Sequence, residues 1–389
     1  MPTQIILVRH GQSTFNAAKR FQGASDDSVL TQIGRLTAYQ TGLALNHIGF
    51  DAVYVSPLKR TQETAHETLA AIAAVSGTVP PLHPHPNLKE VHLPQWEGLS
   101  YQEVQSRFAE AYQQWQHAPH EFRMELPQSS AWSDDRQSAI ATLARPTTFS
   151  PLHQLYTQAK QFWQEILPKH RNQTLLIISH GGTIRALIST AIGLEMNHYH
   201  RLQQSNSGIS RLTFTQPDRP AQLEALNLTT HLGEALPKLK NGKQGIRLVL
   251  FPVGKSNGNL TTLASRLISV PMNVCITDAS DRAQTIAKTL LSQHPKPAIQ
   301  LQVNQPDFLL NWHQAIHSKM QSQTGLNTAL VVASMDQINS LLNHILHLPQ
   351  QRQTLVLRSE TPSVLYYPAS TSHPVLQAMN LGTGEFAED

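Results

Sequence analysis

Mostly apolar runs alternate with longer amphipathic segments along the first part of the chain. The runs at 5–8, 51–55 and 174–179 are typical of strands buried on both faces. The segments between them space their apolar residues as helices do, and they predict helices over 31–47, 60–74, 101–115, 155–167 and 183–192. Thr31 is the expected N-cap of the first helix. Strands that alternate with helices predict an α/β fold with a mainly parallel sheet.

Two stretches show neither the apolar runs of strands nor the helical spacing of apolar residues. Residues 80–86 are rich in proline and histidine and predict an extended loop. Residues 117–151 are irregular and rich in Pro, Ser, Thr and Gln. A structureless stretch of this length within a compact domain is usually a lid or an insertion, and we expect one of these here.

The pattern of the first part recurs in a weaker form after residue 245, which indicates an internal duplication. The corresponding segments, in the same order, are 247–256 with the opening strand and turn, 274–285 with 53–64, 328–334 with 174–180, and 376–381 with 223–228. Residues 235–244 are largely polar and carry Lys and Gly, so they predict a linker between the two parts. We expect the second part to share the fold of the first.

Composition narrows the classes of function. The chain has 389 residues, enough for two domains, with 40% hydrophobic and 14% charged residues. Its net charge of +4 comes without a basic run or stripe, so nucleic-acid binding is not expected. No apolar run is long enough to span a bilayer, and the N-terminus enters a strand without signal-peptide features. Cys275 is the single cysteine, which excludes an internal disulfide, and we expect a cytoplasmic protein.

Unusual polar groups follow three of the predicted strands. Arg9 and His10 end the first strand, Arg60 follows the second, and His180 follows the third. Because the carboxyl ends of parallel strands lie along one edge of a sheet, we expect these side chains to converge. Arginines offer forked hydrogen-bond donors to a phosphate dianion. A neutral imidazole can attack phosphorus, and a second imidazole, if protonated, can stabilise the charge on the phosphate oxygens. Such a site requires no metal ion or other cofactor.

Phosphoryl transfer also requires an acid for the leaving oxygen. Glu90 and Glu97 both lie in the loop that follows the second predicted helix, and the residues alone do not distinguish them. Arg185, in the helix after His180, is expected to form a structural ion pair rather than to contact substrate.

The second part keeps the pattern and loses these groups. Pro252 and Val253 occupy the positions of the opening Arg-His pair, and Ser334 occupies that of the second histidine. Arg282 alone remains, in the position of Arg60. A phosphohistidine cannot form without its histidine, so we expect no catalysis in the second part.

Four motifs together resemble the histidine phosphatase (phosphoglycerate mutase-like) superfamily: 9–13 with Asn16, 56–58 with Arg60, 88–90, and 179–181. The resemblance covers residues 1 to about 234. It implies that His10 is the phosphorylated nucleophile and that Glu90 is the proton donor. It also implies a phosphate and substrate pocket formed by Arg9, Arg60, His180, Asn16, Gln22, Gly23 and Gly181.

The resemblance further implies two tandem three-layer α/β/α domains with mainly parallel sheets, 1–234 and 245–389, of which the second is degenerate. An active first half followed by a degenerate second half is similar to the plant and cyanobacterial 2-carboxy-D-arabinitol-1-phosphatase-like proteins. The implied ligand is a small phosphorylated metabolite, first a phosphorylated sugar acid or sugar bisphosphate. Phosphoserine is the second option.

Two other functions stay open. A phosphoglycerate mutase would be expected to carry an arginine after Glu90 and a later arginine pair, and neither is present. A non-enzymatic binding or regulatory module is the alternative from a different class. A homodimer is one assembly that the sequence leaves open.

Overall fold

Two six-stranded sheets with the same strand order organise the chain in the computed structural model. The structure describes residues 2–126, 148–216, 219–240, 244–254, 260–278, 280–294, 299–303, 325–349, 353–369 and 373–382. Positions 127–147, which make up most of the predicted insertion, lie outside these ranges. Within these ranges, every helix is too short or too polar to cross a membrane.

The first sheet contains five strands that run in one direction and one that runs opposite to them. In chain order its strands are β1 (Thr3–Arg9), β2 (Ala52–Val55), β3 (Leu82–Pro84), β6 (Thr174–Ser179), β7 (Ile209–Phe214) and β8 (Gln222–Leu228). Their spatial order is β3-β2-β6-β1-β7-β8, with β7 antiparallel to β1 and β8. Two short strands, β4 (Met124–Glu125) and β5 (Thr148–Phe149), pair apart from this sheet.

Helices connect these strands. They are α1 (Thr14–Ala17), α2 (Gln32–Leu45), α3 (Lys59–Ser76), α4 (Tyr101–Arg107), α5 (Ala109–His117), α6 (Pro151–Ile166) and α7 (Gly181–Ile192). Short 3-10 turns occupy Pro86–Leu88, Met196–Arg201 and Thr230–Leu232. The Thr31 hydroxyl accepts a hydrogen bond from the Gly34 amide, so the predicted N-cap of α2 is confirmed.

The second sheet repeats the topology of the first. Its strands are β9 (Gly245–Val253), β10 (Val274–Asp278), β11 (Ile299–Val303), β12 (Leu326–Ser334), β13 (Ser363–Pro368) and β14 (Val375–Ala378), in the order β11-β10-β12-β9-β13-β14. The helices of this half within the described ranges are α8 (Leu260–Leu267), α9 (Asp281–Leu291) and α10 (Met335–Leu346). The predicted duplication of an α/β fold with mainly parallel sheets is confirmed, while the boundaries of the two domains stay a prediction.

The strand register supports the residue correspondences between the two sheets. Arg9 on β1 lies opposite Ser179 on β6, and Pro252 on β9 lies opposite Ala333 on β12. The residues that directly follow these pairs in the chain are therefore equivalent between the two sheets. Val253 and Ser334 occupy in the second sheet the positions that the two histidines occupy in the first.

Three predictions about local structure were wrong. Residues 80–86 are not wholly a loop, because they contain β3. The three residues of β3 are exposed at the edge of the sheet, so no run of buried apolar residues marks this strand in the sequence. The helix predicted over 101–115 is broken at Phe108, whose φ of −127° and ψ of 42° separate α4 from α5. Helix α6 begins at Pro151, four residues earlier than predicted, where Ser150 caps it and proline fits the first turn.

The core consists of two apolar clusters on opposite faces of the sheets. Ile5 and Leu7 belong to one cluster, and Ile6 and Val8 belong to the other, as alternation along a strand requires. Each cluster also includes residues of β9. The two halves therefore share continuous apolar layers.

The two sheets meet along their edge strands. The Leu226 amide donates to the Met379 carbonyl at 3.2 Å, and the Met379 amide donates to the Leu226 carbonyl at 3.1 Å. This antiparallel bridge joins β8 to the residue that follows β14. Each sheet thus covers the outermost strand of the other.

Two buried asparagines reproduce the same reciprocal pattern. Asn227 Nδ2 donates to the Gln377 carbonyl, and Asn380 Nδ2 donates to the Glu224 carbonyl, both at 2.7 Å. The asparagines have φ values of 52° and 60°, a left-handed conformation that asparagine tolerates better than most residues. The contact between the halves is therefore close to two-fold symmetric.

We expect Asn227→Ala to lower the free energy of unfolding by about 2–4 kcal/mol, because it removes buried hydrogen bonds between the halves and places alanine at a positive φ. Asn172→Ala is the matched control, since Asn172 has a φ of 59° but is exposed. The control should lose only about 1 kcal/mol. Urea denaturation measures both, and equal losses would contradict the role given to the Asn227 hydrogen bonds.

Candidate active site

The carboxyl ends of β1, β2 and β6 bring two histidines together. His10 follows β1 and His180 follows β6, and both are almost completely buried. Their ring centroids lie 5.3 Å apart, with the rings inclined by 63°. The predicted convergence of the strand ends thus places two imidazoles side by side.

Hydrogen bonding selects one tautomer of His10. Its Nδ1 lies 2.7 Å from the carbonyl oxygen of Gly11. A carbonyl oxygen only accepts hydrogen bonds, so Nδ1 carries the proton and donates it. The lone pair of a neutral His10 is therefore on Nε2, which is the nitrogen able to act as a nucleophile.

Both imidazoles are held in the neutral form. Burial, followed by the charges of Arg9 and Arg60, lowers the pKa of His10 well below its usual value. Burial and the charge of Arg60 do the same to the pKa of His180. His180 Nε2 is hydrogen-bonded to the Ser56 hydroxyl at 2.8 Å. The protonated state in which the second histidine could stabilise phosphate oxygens is thus disfavoured until a negative charge lies close by.

The two arginines are anchored by backbone carbonyls. Arg60 donates from Nη2 to Gly23 and from Nη1 to Ser25, both at 2.9 Å, and Arg9 donates from Nη1 to Gln204 at 2.9 Å. Burial lowers the pKa of Arg60 to about 10, although Glu90 raises it. Burial also lowers the pKa of Arg9. Neither guanidinium forms an ion pair with a carboxylate in the described part of the chain.

Several buried side-chain nitrogens have no protein partner within the ranges that the structure describes. They are Nε of Arg9, Nε of Arg60 and Nδ1 of His180. Buried polar atoms usually have hydrogen-bond partners, so a cluster of exceptions at one place needs an explanation. A multivalent oxyanion would supply acceptors to both guanidinium groups.

Glu90 lies at the N-terminus of α7. Its Oε2 accepts from the Gly182 amide at 3.0 Å, and its Oε1 accepts from the amides of Thr183 at 3.1 Å and Val91 at 2.9 Å. Because α7 has no cap of its own, this carboxylate satisfies helix amides that would otherwise lack partners. A Cβ on Gly182 would lie 2.3 Å from Glu90 Oε1, so a larger residue there would displace this carboxylate.

Glu97 lies against a different segment. Its Oε1 accepts from the Ala24 amide at 2.8 Å and is 3.5 Å from Nδ1 of His92. A Cβ on Gly23 would lie 2.0 Å from the same oxygen. The two glutamates that sequence reasoning left as alternatives therefore occupy different places: Glu90 lies at the start of the helix that follows His180, and Glu97 supports the loop that anchors Arg60.

The other predicted pocket residues surround the same edge. Asn16 Oδ1 accepts from Asn206 Nδ2 at 3.0 Å. Gln22 Oε1 accepts from the hydroxyls of Ser13 at 2.8 Å and Ser28 at 2.9 Å. Gly23 supplies its carbonyl to Arg60 from a φ of 54°. A Cβ on Gly181 would lie 3.1 Å from Arg9 Nε, so the chain passes close to that guanidinium.

Sequence reasoning missed residues that come from distant parts of the chain. Asn206 Nδ2 also donates to the His10 carbonyl at 3.0 Å, and the Thr64 hydroxyl accepts from the Gly11 amide at 3.1 Å. Arg185 was expected to form an ion pair, but within the described ranges it instead donates to the Leu202 carbonyl at 2.7 Å and lies over Tyr199. Thr64 falls within a segment that recurs in the second half, the one signal that could have drawn attention to it.

The equivalent place in the second half is occupied by an acidic side chain. Glu360 Oε1 lies 3.7 Å from Arg282 Nη2. The Glu360 amide donates to the Pro252 carbonyl, just as the Ser207 amide donates to the carbonyl of Arg9. A carboxylate thus compensates the one arginine that remains there.

Comparison with known proteins agrees with this geometry. Residues 5–142 and 124–229 match the histidine phosphatase superfamily (branch 1). The chain is 33% identical over 211 residues to a probable 2-carboxy-D-arabinitol-1-phosphatase of Arabidopsis thaliana, covering 54% of this chain and 38% of that protein. It is 30% identical over 275 residues to a 2-carboxy-D-arabinitol-1-phosphatase of Triticum aestivum, covering 70% and 50%. The matches thus span half or less of these two relatives.

A third relative is matched over nearly its full length. Phosphoserine phosphatase 1 of Hydrogenobacter thermophilus is 27% identical over 233 residues, which cover 59% of this chain and 95% of that protein.

We expect the imidazoles of His10 and His180 to stay neutral from about pH 8 down to about pH 6, because burial and the two arginines lower both pKa values. Nitrogen-15 NMR of the labelled chain reports the protonation state of each ring. His10→Gln and His180→Gln assign the two signals, and exposed histidines provide the internal reference. Titration of either signal near pH 6.5 would contradict the electrostatics described above.

Proposed function

The chain belongs to the histidine phosphatase superfamily, and from this premise we propose that it hydrolyses a small phosphomonoester through a phosphohistidine on His10. The observation that carries the proposal is the tautomer of His10. Its Nε2 lone pair is available in a buried site with two arginines and a second imidazole. A neutral nucleophile beside fixed positive charge suits attack on a phosphate dianion.

In the first step, His10 Nε2 forms a bond to phosphorus while the ester P–O bond breaks. Glu90 in its acid form gives its proton to the departing oxygen, which leaves as an alcohol. Arg9 and Arg60 bind the transferring oxygens, with Asn16 beside them. A bound phosphate opposes the charge of Arg60, which adds to burial in lowering the pKa of His180, and so favours uptake of a proton from solvent by this ring.

In the second step, water attacks the phosphohistidine. Glu90 accepts a proton from this water, the N–P bond breaks, and inorganic phosphate leaves with His10 regenerated. The position of Glu90 beside the Gly182 amide supports this role over that of Glu97, which binds the loop at Ala24. The scheme uses no metal ion.

The substrate we propose is a phosphorylated sugar acid such as 2-carboxy-D-arabinitol 1-phosphate, or a related sugar bisphosphate. Two relatives at 30–33% identity carry the name of a phosphatase for that compound. Phosphoserine is the second candidate, because a phosphoserine phosphatase aligns over 95% of its length.

We further propose a division of labour between the halves. Residues 1–234 are catalytic, 235–244 link the halves, and 245–389 are not catalytic. The support is the carboxylate of Glu360, which lies beside Arg282 where the first half has a cluster of basic groups.

Phosphate release from a panel of phosphomonoesters, measured in excess chelator, tests the proposal. We expect activity with the wild-type chain, and a loss of more than about 10³-fold in His10→Ala because the nucleophile is gone. No activity on any ester, or activity that His10→Ala does not change, would overturn the phosphatase assignment. Inhibition by the chelator would overturn the metal-free scheme.

A matched pair of arginine variants separates the two halves. Arg60→Ala should lower kcat/KM by about 10²- to 10³-fold, because a charged donor to the transferring phosphoryl group is lost. Arg282→Ala removes the equivalent arginine of the second half and should change kcat/KM by less than about 2-fold. Circular dichroism checks that both variants are folded. A large effect of Arg282→Ala would contradict a non-catalytic second half.

A further inference from the structure

Two imidazoles stack across the contact between the halves. His198 belongs to the 3-10 turn Met196–Arg201 of the first half, and His347 directly follows α10 of the second half. Their ring centroids lie 4.6 Å apart, and the rings are inclined by only 17°. Neutral rings pack well in this arrangement, whereas two imidazolium rings at this distance would repel each other. The contact therefore depends on the protonation state of the pair.

Arg201 brings a permanent positive charge to the same contact. Its Nη1 donates to the Ile345 carbonyl in the last turn of α10, where carbonyls lack partners within the helix. In the part of the chain that the structure describes, Arg201 forms no ion pair with a carboxylate. This arginine joins the two halves, and its charge also opposes any further positive charge beside it.

The surroundings of His198 favour a neutral ring. The residue is buried, and its Nδ1 has no hydrogen-bond partner among the described residues. Neither ring of the stacked pair forms an ion pair with a carboxylate within the same ranges. Burial, followed by the charges of Arg201 and His347, lowers the pKa of His198 to about 4.

A second pair of imidazoles crosses the same contact. His117, in the last turn of α5, and His373 of the second half have ring centroids 6.5 Å apart. On α10 itself, the His344 ring lies 6.4 Å from that of His347. The titratable groups that face the stacked pair, Arg201 or His373 are His117, His120, His344, Tyr367 and Glu195. Glu195 is exposed, and its charge raises the pKa of His347 against the lowering by burial and by Arg201.

Acid weakens a contact of this kind. When the end of α10 separates from the turn, His198 meets water and its pKa returns toward about 6.5. Between about pH 6.5 and about pH 4, the separated form binds a proton that the packed form does not bind, so a fall in pH favours separation. His200 on the same turn is also buried, but its Nε2 donates to the Trp115 carbonyl of the first half at 2.8 Å. Separation of α10 therefore leaves His200 in place.

The turn continues directly into the segment that anchors an arginine of the candidate site. The Gln203 amide donates to the Leu376 carbonyl of the second half at 2.9 Å. The Gln204 carbonyl accepts from Arg9 Nη1, also at 2.9 Å. The backbone that holds Arg9 is thus itself held by the second half, two residues after the turn that packs on α10.

We propose that His198, His347 and Arg201 form a pH-sensitive contact between the halves, which opens at mildly acidic pH and loosens the anchor of Arg9. At neutral pH both rings are uncharged, and the contact keeps the segment in place. The device acts through the packing of the two halves and involves no ligand. It therefore goes beyond the proposed function and does not depend on it.

Hydrogen exchange of the full chain, followed by mass spectrometry at pH 7 and pH 5, tests the contact. Peptides from α10 and from residues 196–206 report its two sides, with each rate corrected for the intrinsic rate at that pH. We expect protection of both segments in the wild type to fall at least about 10-fold between pH 7 and pH 5, because the closed form excludes a proton from His198. His198→Phe keeps a buried ring that cannot bind a proton, so its fall should be less than about 3-fold.

Two further variants complete the experiment. His347→Asn removes the facing charge at an exposed position whose φ of 54° asparagine tolerates, and its fall should lie between those of the wild type and His198→Phe. His66→Gln, at an exposed position on α3, is the control and should match the wild type.

Equal falls in the wild type and His198→Phe would overturn the pH-sensitive contact, as would wild-type protection that is the same at both pH values. A fall confined to α10 would overturn the link to the anchor of Arg9.

Discussion

Arg60 is completely buried without an ion pair in the described part of the chain, and the first half is arranged around this constraint. The carbonyls of Gly23 and Ser25 take the place of a carboxylate. Burial lowers the pKa of Arg60 to about 10, which corresponds to about 3 kcal/mol held against the charged form. Such a cost is tolerated where the charge is needed for a ligand, because an arginine already paired with a carboxylate would bind an oxyanion only weakly.

The same constraint explains the loop around residue 23. Gly23 adopts a φ of 54° and leaves no room for a Cβ beside Glu97. Glu97 in turn accepts from the Ala24 amide. The loop therefore presents its carbonyls to Arg60. Glu97, which the sequence offered as an alternative proton donor, supports this loop.

Sequence reasoning succeeded where chemistry follows a buried strand. His10 and His180 come directly after apolar runs, and the geometry of a parallel sheet then brings them together. It was less successful where a contact depends on tertiary structure. Asn206 and Gln204 reach the site from irregular segments that carry no periodic signal, and β3 is exposed at a sheet edge. Glu90 and Glu97 could be told apart only once the N-terminus of α7 was located.

The reciprocal pairing of β8 with β14 has a consequence for assembly. Because one chain carries both edge strands, their encounter is intramolecular, at an effective concentration on the order of millimolar for short flexible connections. Dilution of the protein does not dissociate such an interface. It also needs less intrinsic affinity than an interface between two separate subunits. It also occupies strand edges on which further chains could otherwise align. The two halves thus assemble because one chain connects them, whatever the protein concentration.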